Sequence, residues 1–269
     1  MKNISNFTVI TIVKDDVAAF VKTLQSVANQ VTPIKHLVID GSSRPENQDL
    51  IRSASDANGS QHIYQEAKGI YAAMNFGLAL CSDDEMVLYL NAGDSFAAVN
   101  TTQMIINDLN INGSEIYLYS CIFGQLDGFI PKIEGASAKS VARGEALICH
   151  QGVIASASLI RRAGSFDETY AISADHKLLL GMLQLSSPKI FTTPIALVSL
   201  GGISDQNCTR LAIENSRARK ETGTSFDSRI ADKSYTYYRI ARCKSKLIIR
   251  KLEKYLGLPT NFAQKIFHR

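Results

Sequence analysis

The sequence has no uninterrupted apolar run of the about 18 residues that a membrane-spanning helix needs, so no transmembrane helix is expected. Its start, MKNISNFTVITIVKDD, passes almost directly into a strand pattern and lacks the apolar region and small-residue cleavage site of a signal peptide. There is no C-x-x-C pair, and the five cysteines, Cys81, Cys121, Cys149, Cys208 and Cys243, are odd in number. That argues against a disulfide framework or a zinc site and predicts free thiols in a reducing compartment, hence a cytoplasmic protein. No G-x-G-x-x-G fingerprint and no P-loop occur, so those nucleotide folds are not supported. A nucleotidyltransferase would need a Gly-rich basic phosphate loop near the N-terminus, and VITIVKDDVAAF has none. No internal repeat or low-complexity tract is evident. No nucleic-acid module is present either, so nucleic acid is not an expected partner.

The chain has 269 residues, 45% hydrophobic and 20% charged, which suits a globular α/β domain with an appendage. Its net charge of +4 is unevenly placed. From Lys233 to Arg269 there are ten Lys or Arg and one acidic residue, Glu253, which leaves the remainder acidic.

Phe7 to Val13 (FTVITIV) reads as a strand buried on both faces. Asp15 and Asp16 can cap the helix that follows, in which Val17, Phe20, Val21, Leu24, Val27 and Ala28 hold helical spacing. Further strands are predicted at His36 to Asp40, His62 to Glu66 and Met86 to Leu90, with helices near Glu46 to Ala54 and from Ile70 to Cys81. Four alternations of strand and helix imply a parallel sheet with crossover helices. Ligands bind such sheets at the carboxyl edge, where Asp40 to Ser43, Glu66 to Tyr71 and Asn91 to Asp94 gather. The second half is less regular: strands are predicted at Glu115 to Phe123 and Lys189 to Val198, and helices from Asp175 and over Tyr235 to Leu256. In the last helix Ile240, Cys243, Leu247, Ile248, Leu252 and Tyr255 share roughly one face.

Asn91-Ala92-Gly93-Asp94 follows a buried strand, and a carboxylate there can hold a divalent cation that bridges a diphosphate; the same residues also suit a plain turn. Asp40 ends the second strand, where an acid can bond a nucleoside or simply close a turn. Asp175 opens an apolar-periodic helix and is either a base or an N-cap. His150 is either a pocket residue or a buried structural histidine.

In collinear order, VITIVKDD with TLQSVANQ, HLVIDGSS, EAKGIYAAMNFGLAL, YLNAGD, ICHQGVIASASLIRRAGSFDETYAISADHKLLL and GGIS resemble glycosyltransferase family 2, over roughly Phe7 to Ser204. KGIYAAMN with LNAGD is similar to the subgroup of bacterial surface-polysaccharide synthesis. The resemblance implies a GT-A (Rossmann-like), mostly parallel α/β fold over residues 1–205, with 206–269 a basic helical extension. It implies that Asp40 contacts the nucleotide base, and that Lys68, Tyr71 and Asn75 lie near the donor's ribose, diphosphate or sugar. Asn91 and Asp94 would hold the outer positions of a D-x-D-type motif, with Asp94 binding Mn2+ or Mg2+. Asp175 would be the catalytic base, His150 and Gln151 would contact substrate, and Gly201 to Ser204 would form a mobile loop over the donor. The sequence departs from the pattern at Asn91 and Gly93, where many members have Asp, at Ala174, which replaces a frequent Glu, and at Lys14-Asp15, which replaces a Tyr-Asn.

The implied activity is inverting transfer from a nucleotide-diphospho-sugar, with UDP favoured, to a lipid-linked sugar or glycan. The thinned acidic motif keeps a second reading open, a non-catalytic nucleotide-sugar-binding or membrane-scaffold protein. The tail suggests an anionic membrane surface, making the protein peripheral on the inner face of the plasma membrane; the rival is a stripe packed on protein.

Overall fold

The computed structural model describes residues 6–124, 128, 130–131, 133–199 and 207–256, with side chains described as far as residue 245. The chain begins as the alternation predicts. β1 (Phe7–Val13), α1 (Val17–Ala28), β2 (Lys35–Asp40), α2 (Pro45–Ala57), β3 (Gln61–Tyr64), α3 (Ile70–Ala79) and β4 (Met86–Tyr89) follow one another. β1 lies between β2 and β4, and β3 flanks β2, all in parallel. The continuous apolar runs of β1 and β4 match this position, since strands with helices on both faces have no wet side. Gly77 lets α3 lie directly on the sheet: a Cβ there would sit 2.8 Å from Ile10 Cγ2.

Beyond β4 the order changes. β5 (Ser95–Phe96), α4 (Thr101–Asn112), β6 (Ile116–Phe123), α5 (Ala138–Ala142), a 3-10 turn at His150–Gly152, β7 (Val153–Ser156), α6 (Ala157–Arg162), α7 (Ala174–Leu185) and β8 (Lys189–Val198) follow. They complete an eight-stranded sheet of order β3-β2-β1-β4-β7-β6-β8-β5. β7 runs antiparallel to both β4 and β6, β6 is parallel to β8, and β8 is antiparallel to β5. The result is a curled, mostly parallel sheet flanked by helices.

The chain closes with α8 (Cys208–Glu221) and α9 (Arg229–Leu256). Here the free-thiol expectation is corrected: Cys208 and Cys243 form a disulfide, and their Cα atoms are 6.2 Å apart. The two cysteines are 35 residues apart in sequence, so no short-spacing pattern announces the pair. α8 and α9 pack as neighbours and bring them together. Cys81, Cys121 and Cys149 are free thiols. Cys243 thus turns the first part of the predicted apolar stripe of α9 toward α8. The stripe's later members, Leu247 to Tyr255, lie outside the described side chains. Among the described residues no helix is long and apolar enough to cross a membrane.

Candidate active site

The site assembles at the carboxyl ends of β1, β2 and β4. After β1, Asp16 caps α1 by accepting from Ala19 N at 2.9 Å. Asp15 does not cap. It sits at φ 54°, and its carboxylate accepts from Ser43 Oγ at 2.7 Å and Ser43 N at 3.0 Å. Those bonds, that of Ser43 Oγ foremost, hold its pKa below the ordinary value and tie the β1 turn to the β2 turn. Asp40 is fully buried; its Oδ1 accepts from Ser42 N at 2.8 Å and its Oδ2 lies 3.1 Å from His62 Nε2.

The turn after β4 is held from α1. The buried Thr23 hydroxyl donates to Asp94 O at 2.6 Å and accepts from Gly93 N at 2.9 Å. Lys22 Nζ donates to Gly93 O at 2.7 Å. Gly93 has φ +101°, a conformation that side-chain-bearing residues rarely adopt. This clamp leaves the Asp94 side chain directed at the 3-10 turn. Gln151 Nε2 donates to Asp94 Oδ2 at 2.6 Å, and Ser199 N donates to Oδ1 at 2.9 Å. Burial raises the Asp94 pKa, while these two bonds and the charges of His150 and Lys22 oppose the rise.

His150 bridges two of the predicted positions. Its Nε2 lies 3.1 Å from Asn91 Nδ2, and its Nδ1 lies 3.4 Å from Asp175 Oδ2. Burial opposes its charge, but hydrogen bonding to Asp175 and the nearby acids lift its pKa to about 9. In turn, Asp175 is pushed up by burial but pulled below its ordinary value by His150. Each shift favours the charged form of its group, whereas the Asn91 Nδ2 facing Nε2 favours an unprotonated ring nitrogen there. Ser173, not Asp175, occupies the N-cap position of α7, so Asp175 lies within the first turn with its side chain 32% exposed.

The structure thus brings Asn91, Asp94, His150, Gln151 and Asp175 into one cluster. Tyr71 stands behind it: it is 6% exposed and stacked on Phe166. Burial raises its pKa, and the backbone of Ala174 and Asp175 at the start of α7 opposes the rise. Asn75 is turned to a loop, donating to Phe166 O at 2.8 Å and accepting from Phe166 N at 2.9 Å. Lys68 is exposed on the loop before α3. Ser204 and the Gly201 to Ser204 loop lie outside the described residues.

Sequence reading missed Thr23, Lys22 and Glu214. Glu214 of α8 accepts from Ile172 N at 2.9 Å and Ser173 N at 3.1 Å, which fixes the approach to Asp175. No local pattern marks it, because its partners are 41 and 42 residues away.

A divalent cation fits this cluster in one way. Asn91 Oδ1 is buried without a hydrogen-bond partner, and it belongs to the same turn as the Asp94 carboxylate. An amide oxygen and one carboxylate, completed by diphosphate oxygens, form an acceptable set for Mg2+ or Mn2+. Among the described residues no group of three or more His, Cys, Asp or Glu could hold a metal unaided.

Residues 8–134 match the model of glycosyl transferase family 2. The chain is 26% identical over 195 residues to "Uncharacterized glycosyltransferase Rv1514c" of Mycobacterium tuberculosis, covering 70% of this chain and 72% of that one. Among solved structures, S. aureus TarS 1-349 in complex with UDP superposes with TM-score 0.65 at 14% identity, covering 89% of this chain and 72% of that one. The mannosyltransferase PcManGT from Pyrobaculum calidifontis, in complex with GDP-Man and Mn2+, superposes with TM-score 0.61 at 14% identity, covering 88% and 69%. A longer TarS structure is spanned to only 42% of its length, with TM-score 0.62. Residues 8–134 are thus similar to glycosyl transferase family 2. At these identities the solved structures show that the chain shares their fold, and its substrates are a separate question.

Proposed function

We propose that the protein is an inverting glycosyltransferase that moves a sugar from a nucleotide diphosphate, UDP before others, to a hydroxyl of a lipid-linked sugar or glycan in surface-polysaccharide synthesis. The observation that carries this reading is the His150–Gln151 turn. Through consecutive residues it ties Asp94, by Gln151 at 2.6 Å, and Asp175, by His150 at 3.4 Å. The diphosphate-side acid and the base-side acid are thereby held in one rigid unit.

Asp175, kept ionised by His150, takes the proton of the acceptor hydroxyl as its oxygen attacks the anomeric carbon. The bond to the nucleoside diphosphate breaks as the new one forms. Asp94 and Asn91 would hold Mn2+ or Mg2+, which when bound neutralises charge on the leaving diphosphate. Lys22, and His150 when protonated, add positive charge beside Asp94. With one base and, among the described residues, no second carboxylate assigned as nucleophile, a single displacement inverts the anomeric centre.

The test is a thermal-shift panel of nucleotide sugars with Mn2+. A donor at 100 times its Kd should stabilise the protein by about 2.7 kcal/mol. Asp94→Ala should remove the metal-dependent part of that gain and leave the unliganded melting temperature nearly unchanged. An unaltered shift in the variant rejects Asp94 as the anchor. No shift with any nucleotide sugar rejects the donor class.

The tail is assigned to an anionic membrane surface. Beside its basic residues, α9 carries Ile230, Tyr237 and Tyr238 at 78%, 71% and 55% exposure. Each Lys or Arg near such a surface contributes about 1 kcal/mol, so several hold the protein reversibly. The protein should sediment with anionic vesicles and be released by salt. A chain truncated after Asp232 that sediments equally would reject the assignment.

A further inference from the structure

A second cleft opens against α7, walled by α5, α8 and α9, with a cavity volume of about 60 Å³ at an open mouth. Its chemistry differs from that of the cluster around Asp94. Three guanidinium groups gather on two aromatic rings. Arg143 and Arg219 lie 5.4 and 5.7 Å from the Phe226 ring centre, and Arg219 and Arg239 lie 5.2 and 5.8 Å from that of Tyr235. Their charges are not all balanced. Arg219 is buried and paired with Asp232 at 2.7 Å. Among the described residues Arg143 meets no carboxylate but that of Asp227, at 3.4 Å, whose side chain is 91% exposed. Among the described residues Arg239 pairs with no carboxylate; it donates to the Tyr235 hydroxyl at 2.9 Å. Like charges this close raise each other's energy, and an anion entering the cleft would relieve it.

Uncharged polar atoms complete the wall. His176 Nε2 and Asn215 Oδ1 are buried without hydrogen-bond partners, and both residues line the cleft. A buried polar atom without a partner is costly, and a hydroxyl-bearing ligand would supply what is missing. Gly144 closes one side: a Cβ there would lie 2.3 Å from the Tyr235 hydroxyl oxygen and 3.1 Å from Arg239 Nη1, so only glycine leaves both in place. His176 follows Asp175 directly in α7. His176 and Ile148 line both this cleft and the neighbouring apolar one, which contains Asp175 and His150. The two clefts therefore share a wall at Ile148 and at His176, which is one residue along α7 from Asp175.

We infer that this cleft binds the acceptor, and that the acceptor is a sugar carrying a negative charge, as a carboxylate or a phosphate. This rests on the transferase reading for its meaning, though not for its detection. Arg239, with Arg143 at the rim, takes the anionic group, while His176 and Asn215 take sugar hydroxyls.

The experiment titrates the full-length protein, in metal-free buffer with a chelator, with glucuronic acid, glucose 6-phosphate, inorganic phosphate and glucose. One or both charged sugars should bind saturably and at least tenfold more tightly than glucose. The preferred one identifies the anionic group. Arg239→Gln should weaken that binding at least tenfold, and Arg239→Lys should retain most of it. UDP affinity measured with Mn2+ on the same samples should not change between variants. Equal binding of charged and neutral sugars, no saturable binding, inorganic phosphate binding as tightly as the charged sugars, or an Arg239→Gln protein with wild-type affinity would each overturn the inference. A protein that binds charged sugars but no nucleotide sugar would refute the transferase reading and leave the anion site standing.

Discussion

Residues 7–90 and residues 167–239 are stabilised in contrasting ways. In the first region Phe7, Val9, Ile10, Leu37, Val38, Ile39 and Leu88 are almost wholly buried, and the strands meet side by side through apolar faces. In the second, helices meet through charge. Lys177 Nζ lies 2.6 Å from Asp167 and 2.7 Å from Glu221, and Arg217 Nε lies 2.6 Å from Glu221. Arg219 and Asp232 pair at 2.7 Å with side chains only 2% and 3% exposed. Hydrophobic burial is non-directional and tolerates small shifts. A buried ion pair tolerates few, because either partner alone is a stranded charge. The turn that carries Asp94 thus follows a broad apolar platform, whereas the surroundings of Asp175 are set by specific pairs.

The contrast is tested most severely by Asp232→Ala. It strands the buried Arg219 guanidinium and should cost about 3–5 kcal/mol in denaturant unfolding. Asp49→Ala removes the partner of Arg52 in a pair whose side chains are 72% and 53% exposed, and should cost less than about 1 kcal/mol. Equal costs would erase the distinction between the regions.

A smaller effect, confined to the chemistry, is expected from Asp175→Asn. It keeps the side chain's size and removes its basicity. Transfer should fall by at least about 100-fold, with donor affinity within a factor of two. Near-normal turnover would return Asp175 to a structural role at the start of α7.

The smallest effect is a pH dependence. His150 has its pKa raised from 6.5 to about 9 in the folded protein. Its contribution to stability is therefore fully present below pH 6.5 and is lost as pH rises through about 9. His150→Gln should flatten the stability curve over that window. A slope unchanged by the substitution would show that the imidazole is not held as a cation.

The first region was legible because its strands and helices follow one another at short range. The runs FTVITIV and MVLYL, and the spacing from Ile70 to Cys81, each signal one element without outside help. Turns after those strands could be placed at the sheet edge by topology alone, which is why Asn91 and Asp94 were expected at that edge. β7 and α6 were not foreseen, and α8 was covered only by the broad helical extension expected over 206–269. β7 is four residues long, α6 is six, and the inner face of α8 is made of Glu214, Ser216 and Arg219 as much as of Ala212 and Ala218. Such a face carries no apolar stripe. The resemblance to the family placed His150, Gln151 and Asp175 on the page, and only the structure joined them. Tyr71 and Asn75 were expected on the donor side; the structure shows them tied to the start of α7 and to the Phe166 loop. The Cys208–Cys243 link depends on the packing of two helices, which no local spacing encodes.

The Glu214 carboxylate, which gathers the N–H groups of Ala171, Ile172 and Ser173, bears on how such a chain can be dissected. A boundary near residue 205 separates two kinds of sequence, but it does not separate two machines. Exchanging the C-terminal helices for those of a relative would carry away the latch on the loop before Asp175. Recombination or tail-swapping between such chains would then succeed only where the acid of α8 travels with the loop it grips.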